Sequence, residues 1–120
     1  MSALQQKDRV LIAVIGDEDT VTGLLLAGVG HQDGKSKPNY LIVTAKTPLP
    51  KIEEAFADFA SRKDIAIILI TQNVADDIRP QLDAHSAAFP TVLEIPSKES
   101  PYDASKDSVM KRIRAILGSD

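Results

Sequence analysis

Apolar residues along this chain fall into two kinds of stretch. Short, unbroken runs rich in β-branched residues alternate with longer stretches in which apolar positions recur every three or four residues. The runs are Val10–Ile15, Tyr40–Val43, Ile65–Ile70 and Thr91–Ile95. Runs of this kind read as strands buried on both faces. After the first run, Gly16 breaks the pattern, Asp17 and Asp19 offer helix caps, and Asp17, Glu18 and Asp19 suit the positive end of a helix dipole. Val21, Leu24, Leu25 and Gly28 then recur at helical spacing, and Gly28, Gly30 and Gly34 punctuate the helix end and the loop up to Pro38. Pro48 and Pro50 open a second helix with Ile52, Phe56 and Phe59 along one face and Glu53, Glu54 and Asp58 off it. A third helix follows Thr71 with Val74, Ile78 and Leu82 in line, and Pro80 predicts a kink or a split inside it.

Strand and helix thus alternate four times. Helices between apolar strands imply parallel pairing through right-handed crossovers. The pattern predicts an α/β domain over residues 8–96: a small open four-stranded parallel sheet, order 2-1-3-4, flavodoxin-like or Rossmann-like, flanked by helices.

The last unit differs. Residues 97–102 form a polar, proline-containing linker; with Pro96 the stretch Pro96–Tyr102 has seven residues and two prolines, longer than the roughly two to six residues usual for a strand-to-helix loop. A final helix is expected over residues 103–118, with Asp103 as N-cap, an Asp107–Lys111 pair one turn apart and Gly118 as the stop. Val109, Met110, Ile113, Ile116 and Leu117 make a narrow apolar stripe, and Lys111, Arg112 and Arg114 lie near its C-terminal end. A helix of about 15 residues is marginal alone in water. The stripe therefore needs a surface: the parent sheet, a membrane or another protein. The proline-containing connector favours another protein.

Length and composition narrow the range of functions. One domain is expected from 120 residues, and 43% apolar with 26% charged residues suits a globular chain. Fourteen basic residues against seventeen acidic give a net charge of −3, which argues against a general nucleic-acid binder. The charge is uneven: Lys106, Lys111, Arg112 and Arg114 outnumber Asp103, Asp107 and Asp120 in the final segment. With no cysteine, disulfide frameworks and Cys-based zinc sites are excluded. The longest apolar runs are far short of the roughly 20 residues that span a bilayer, and Met1–Arg9 has no apolar secretory core, so a soluble intracellular chain is expected, without direct membrane insertion.

Catalytic and cofactor motifs are weak or missing. Asp17, Glu18 and Asp19 stand where open α/β sheets bind ligands, which raises a magnesium site or a phosphoacceptor receiver. The third strand, however, ends in Ile70-Thr71-Gln72 with no acceptor Asp, so capping and solvation are the stronger reading. Gly28, Gly30 and Gly34 follow a helix, not a strand, and do not match a dinucleotide fingerprint. The chain has no phosphate-binding loop or G-x-S-x-G elbow, and His31 and His85 have no neighbouring ligand. The expectation is no catalytic residue, no cofactor and no metal.

Several stretches resemble the family of F subunits of eukaryotic vacuolar-type (V-type) proton ATPases. They are Leu11–Thr20, Thr22–Gly30, Asp64–Ile70 and, most specifically, Phe89–Glu99 continuing through Pro101-Tyr102-Asp103 to Lys106–Val109; together they span about residues 10–117. Ser100 departs from the family's usual His. The resemblance implies a non-catalytic rotor part of the central stalk, on the cytosolic face of vacuolar or other endomembranes. It implies docking beside the D subunit, a long helical hairpin, with Val109, Ile113, Ile116 and Leu117 facing it and Lys111, Arg112 and Arg114 flanking. The rival reading is a stand-alone flavodoxin-like signalling or ligand-binding domain.

Overall fold

The computed structural model describes residues 9–29 and 37–118. Gly30, His31 and Gly34, singled out above, lie outside the described residues.

Four strands, β1 (Leu11–Gly16), β2 (Tyr40–Ile42), β3 (Ile65–Thr71) and β4 (Thr91–Ile95), form one parallel sheet in the order β2-β1-β3-β4. This is the order expected from the sequence. The most apolar strands, β1 and β3, are central, paired Ala13 to Ile68 and Ile15 to Ile70. Edge strands need less apolar surface, and β2 and β4 are correspondingly shorter and more polar.

Helix α1 (Glu18–Leu26) opens at Asp17, whose carboxylate accepts from the Thr20 amide at 3.0 Å and the Thr20 hydroxyl at 2.7 Å. It ends before Gly28, so Gly28 is not part of the helix face; it takes φ +97° in the closing turn, a conformation that suits glycine. Helix α2 (Leu49–Ser61) buries Ile52, Phe56 and Phe59 as their spacing requires, with proline at its entry.

The third helix is split. Helices α3 (Gln72–Asp77) and α4 (Arg79–Ala84) meet at Ile78, which has φ −121° and ψ 30°. Pro80 offers no N–H to the Asp76 carbonyl, and its ring excludes that carbonyl from the helical position. Ile78 itself is buried, so the break is filled by core.

The core joins Ala13, Ile15, Ile68, Ile70 and Val92 of the sheet to side chains of α2, α3 and α4. Helix α1, which packs on β1 and β2, adds nothing to that cluster. The opposite face of the sheet near β4 is open, and Leu93 is 43% exposed.

Beyond β4 the chain makes a tight loop closed by two backbone hydrogen bonds between Ser97 and Ser100, then a turn over 104–106. Helix α5 runs from Ser108 to Leu117. Asp103 is therefore not its N-cap: the Asp103 carboxylate accepts from Ser105 within the preceding turn. Asp107 caps instead, accepting from the Val109 and Met110 amides. Its other oxygen accepts from the Tyr102 hydroxyl at 2.6 Å, in place of the expected pairing with Lys111. Gly118 stops the helix at φ +73°, as its position suggests. The helix has ten residues rather than the roughly 15 expected, so it is roughly 15 Å long.

Candidate functional site

Helix α5 carries the predicted interface residues. At about 100° per residue, Val109, Ile113, Ile116 and Leu117 fall within an arc of roughly 100°. Their environments change along the arm. Val109 and Met110, near the root, are half-buried. Ile113 is 40% exposed, and at the tip Ile116 and Leu117 are 82% and 74% exposed. The structure thus keeps the stripe together and leaves its distal half in solvent.

The basic residues are less uniform. Lys111 is exposed. Arg112 turns back and donates to the Leu82 carbonyl at 3.0 Å, while Arg114 donates to the Ala104 and Ser105 carbonyls at 3.4 Å each. Two of the three flanking cations thus brace the arm against its own chain.

The root of α5 rests on a polar cluster that the sequence pattern did not reveal. Glu94 belongs to an otherwise apolar strand and shares a face with Val92; its side chain is 2% exposed. One carboxylate oxygen accepts from Gln72 at 3.0 Å and Arg79 at 3.1 Å. The other accepts from Arg79 at 2.6 Å and the Ser108 amide at 3.1 Å. The Ser108 hydroxyl accepts from Arg79 at 3.1 Å and donates to Asp83 at 2.5 Å. The Gln72 side-chain amide pairs with the Asp103 backbone in both directions, at 2.6 and 2.8 Å. Burial works against the Arg79 charge, but hydrogen bonds to Glu94 and Asp76 outweigh it and hold the guanidinium above its usual pKa. The one sequence signal was an acidic residue in a buried strand, which must find donors somewhere.

Of the acidic residues after β1, Asp17 caps α1, and Glu18 and Asp19 are exposed in its first turn. Asp17, Glu18 and Asp19 line a concavity of about 250 Å³ with Asn73, Ser97, Lys98 and Glu99. Lys98 lies 3.7 Å from Asp19, and among the described residues no acidic or histidine cluster has the geometry of a metal site. Partial burial opposes the Asp17 charge, but hydrogen bonds from Thr20 overcome this and hold its pKa below the usual value. His85 is structural: one ring nitrogen meets the Pro90 carbonyl at 2.9 Å, and the ring stands edge-on to Phe56.

Fold and site together define a small parallel α/β domain of flavodoxin-like build with an amphipathic C-terminal arm moored by polar contacts. The sequence profile of the family described as ATP synthase (F/14-kDa) subunit matches residues 12–113. The F subunit of the V-type proton ATPase of Dictyostelium discoideum is 54% identical over 120 residues, covering all of both chains. Its namesake from Neurospora crassa is 56% identical, covering 98% of this chain and 97% of that one. The human one is 53% identical, covering 92% of each chain. The chain belongs to the family of V-type proton ATPase F subunits. A solved structure of the F subunit of the V-type ATP synthase from Archaeoglobus fulgidus shares the fold, with a TM-score of 0.52 and 23% identity over 72% of this chain and 98% of that one.

Proposed function

We propose that this chain is a non-catalytic central-stalk component of a V-type proton-pumping ATPase. In this reading α5 docks along a helical hairpin of the kind formed by the D subunit, and the chain couples ATP hydrolysis in the catalytic hexamer to rotation and proton transport. The observation that carries the reading is the exposed distal stripe Ile113, Ile116 and Leu117 on a helix that adds nothing to the apolar core. Family membership supports it, because the relatives are named as one subunit of a proton ATPase. A surface of apolar side chains at helical spacing suits a seam along another helix, whereas Lys111 lies on the opposite face of α5 and is not placed to flank that seam.

Other ATPase subunits are the proposed partners, and the proposed location is peripheral, on the cytosolic face of vacuolar or other endomembranes. Among the described residues no helix is long and apolar enough to cross a membrane, which suits a protein held in place by its neighbours in a complex. Among the described residues no specific contact favours the stand-alone signalling domain.

Calorimetric titration of the full chain against the helical hairpin of a D subunit tests the reading. Ile113→Asp or Leu117→Asp places a charge in a dry seam without a partner, which should cost roughly 3 kcal/mol, or more than a hundredfold in Kd. The melting temperature of the free protein should barely change with Leu117→Asp, whose side chain is 74% exposed, and should fall only modestly with Ile113→Asp, which is outside the core cluster. Unchanged binding by Leu117→Asp, or a collapse of the melting temperature with Ile113→Asp, would overturn the docking role.

A further inference from the structure

The arm presents a physical problem. Its only buried residue is Ser108, so apolar packing does not fix its direction. A helix of ten residues has little stability of its own. Directional contacts must do both tasks: Arg112 on the Leu82 carbonyl braces the middle of the arm, and at its root the contacts gather on Glu94.

The cluster is saturated. Each Glu94 oxygen accepts two hydrogen bonds, from Gln72 and Arg79 on one side and from Arg79 and the Ser108 amide on the other. Four Arg79 N–H contacts are used, on Glu94 twice, Asp76 and Ser108. Gln72 spends both amide hydrogens and its oxygen. The chain entering α5 is therefore held at two points, Asp103 by Gln72 and Ser108 by Glu94. A buried ion pair is a poor source of net stability compared with apolar packing. Its hydrogen bonds are angle-dependent, so it specifies orientation well.

We infer that Glu94 is a positioning residue for the docking arm: with Gln72 and Arg79 it keeps α5 helical and at a set angle in the free protein, so the stripe is presented ready-formed. The arm's order then precedes the partner, and binding does not carry the full cost of ordering it. The inference rests on the docking role proposed above for its consequence in binding, but not for its effect on the arm itself.

The test is hydrogen exchange on the full chain, with and without the helical hairpin. Glu94→Gln keeps the shape and removes the charge, turning an acceptor into a donor that faces Ser108 or Arg79. Amides of residues 110–117 should exchange at least tenfold faster, while those of Ile65–Thr71 keep their protection. Ser108→Pro is the second variant. Proline is well tolerated at the first helical position, and Asp107, at φ −70° and ψ 123°, already has the backbone a following proline requires. This variant deletes the N–H that Glu94 receives together with the hydroxyl shared by Arg79 and Asp83, so it cuts the root of the arm from the whole cluster and should loosen α5 in the same way. Both variants should weaken binding to the hairpin about tenfold, and α5 protection should return in the complex. Unchanged exchange of α5 in Ser108→Pro would overturn the inference, as would loss of protection in β3 as large as that in α5 for both variants. If the wild-type chain ignores the hairpin while the exchange results hold, the docking role fails and the positioning role stands.

Discussion

Gly16 and Gly23 are both glycines in regular structure, yet they answer to opposite constraints. A Cβ on Gly16, at the end of β1, would lie 2.7 Å from the Cγ2 of Thr71 at the end of β3. Thr71 is fully buried and has nowhere to move. Gly16→Ala should destabilise the protein by about 1–3 kcal/mol, the usual penalty for overpacking. A Cβ on Gly23 meets nothing within 4 Å, and Gly23 lies inside α1. Gly23→Ala should stabilise by about 0.5–1 kcal/mol through helix propensity and chain entropy. Urea denaturation of the two variants checks both signs, and equal signs would contradict this packing. Sequence alone marked Gly16 as a strand end but not as a contact, because Thr71 reaches it from a strand far along the chain.

Among the elements, the strands were legible because their signal is local: a continuous apolar run needs no knowledge of its neighbours. The Pro80 split was legible for the same reason. The start of α5 was not. Asp103 and Asp107 are both plausible caps, each followed by small polar or apolar residues. The choice is made by Gln72, which takes the Asp103 amide and carbonyl from a distance of 31 residues. The chain at Asp103 is thereby committed to pairing with α3, and the first free cap is Asp107. The Tyr102 hydroxyl bond to Asp107 ties the connector to this cap and pushes the phenol pKa from 10.0 up to about 12. Because the folded value is the higher one, the contact contributes fully below pH 10 and is lost as pH rises through about 12. In Tyr40→Phe, Tyr102 is the remaining tyrosine, and ultraviolet titration should find its phenolate forming near pH 12; a midpoint at 10 would show that the bond does not form in solution.

At the scale of the whole molecule, the core is complete before α5 begins. Its members run from Ala13 to Val92, and every one belongs to the sheet, to α2–α4 or to the Ile78 break. Removal of everything after Lys98 should therefore leave a cooperative thermal transition, shifted downward because Gln72, Arg79 and Glu94 lose their contacts to Asp103 and Ser108. A non-cooperative melt of the truncated chain, followed by calorimetry, would show that the arm is part of the fold. The change in pattern after β4 pointed to a connector and a final helix, and a helix is present there, though it starts at Ser108. The cluster joining them was not, because its five side chains are spread from Gln72 to Ser108 and each looks ordinary on its own.

That saturation also bears on how the chain can change over time. Glu94, Gln72, Arg79, Asp83 and Ser108 form a set around a carboxylate whose two oxygens each already accept two hydrogen bonds. A drift at any one position strands a charge or an amide inside the protein, so single steps are penalised even where a double step would be harmless. The root of the arm should accordingly be inherited as a block, whereas the solvent-facing tip at Ile116 and Leu117 is free to be re-tailored to whatever surface covers it.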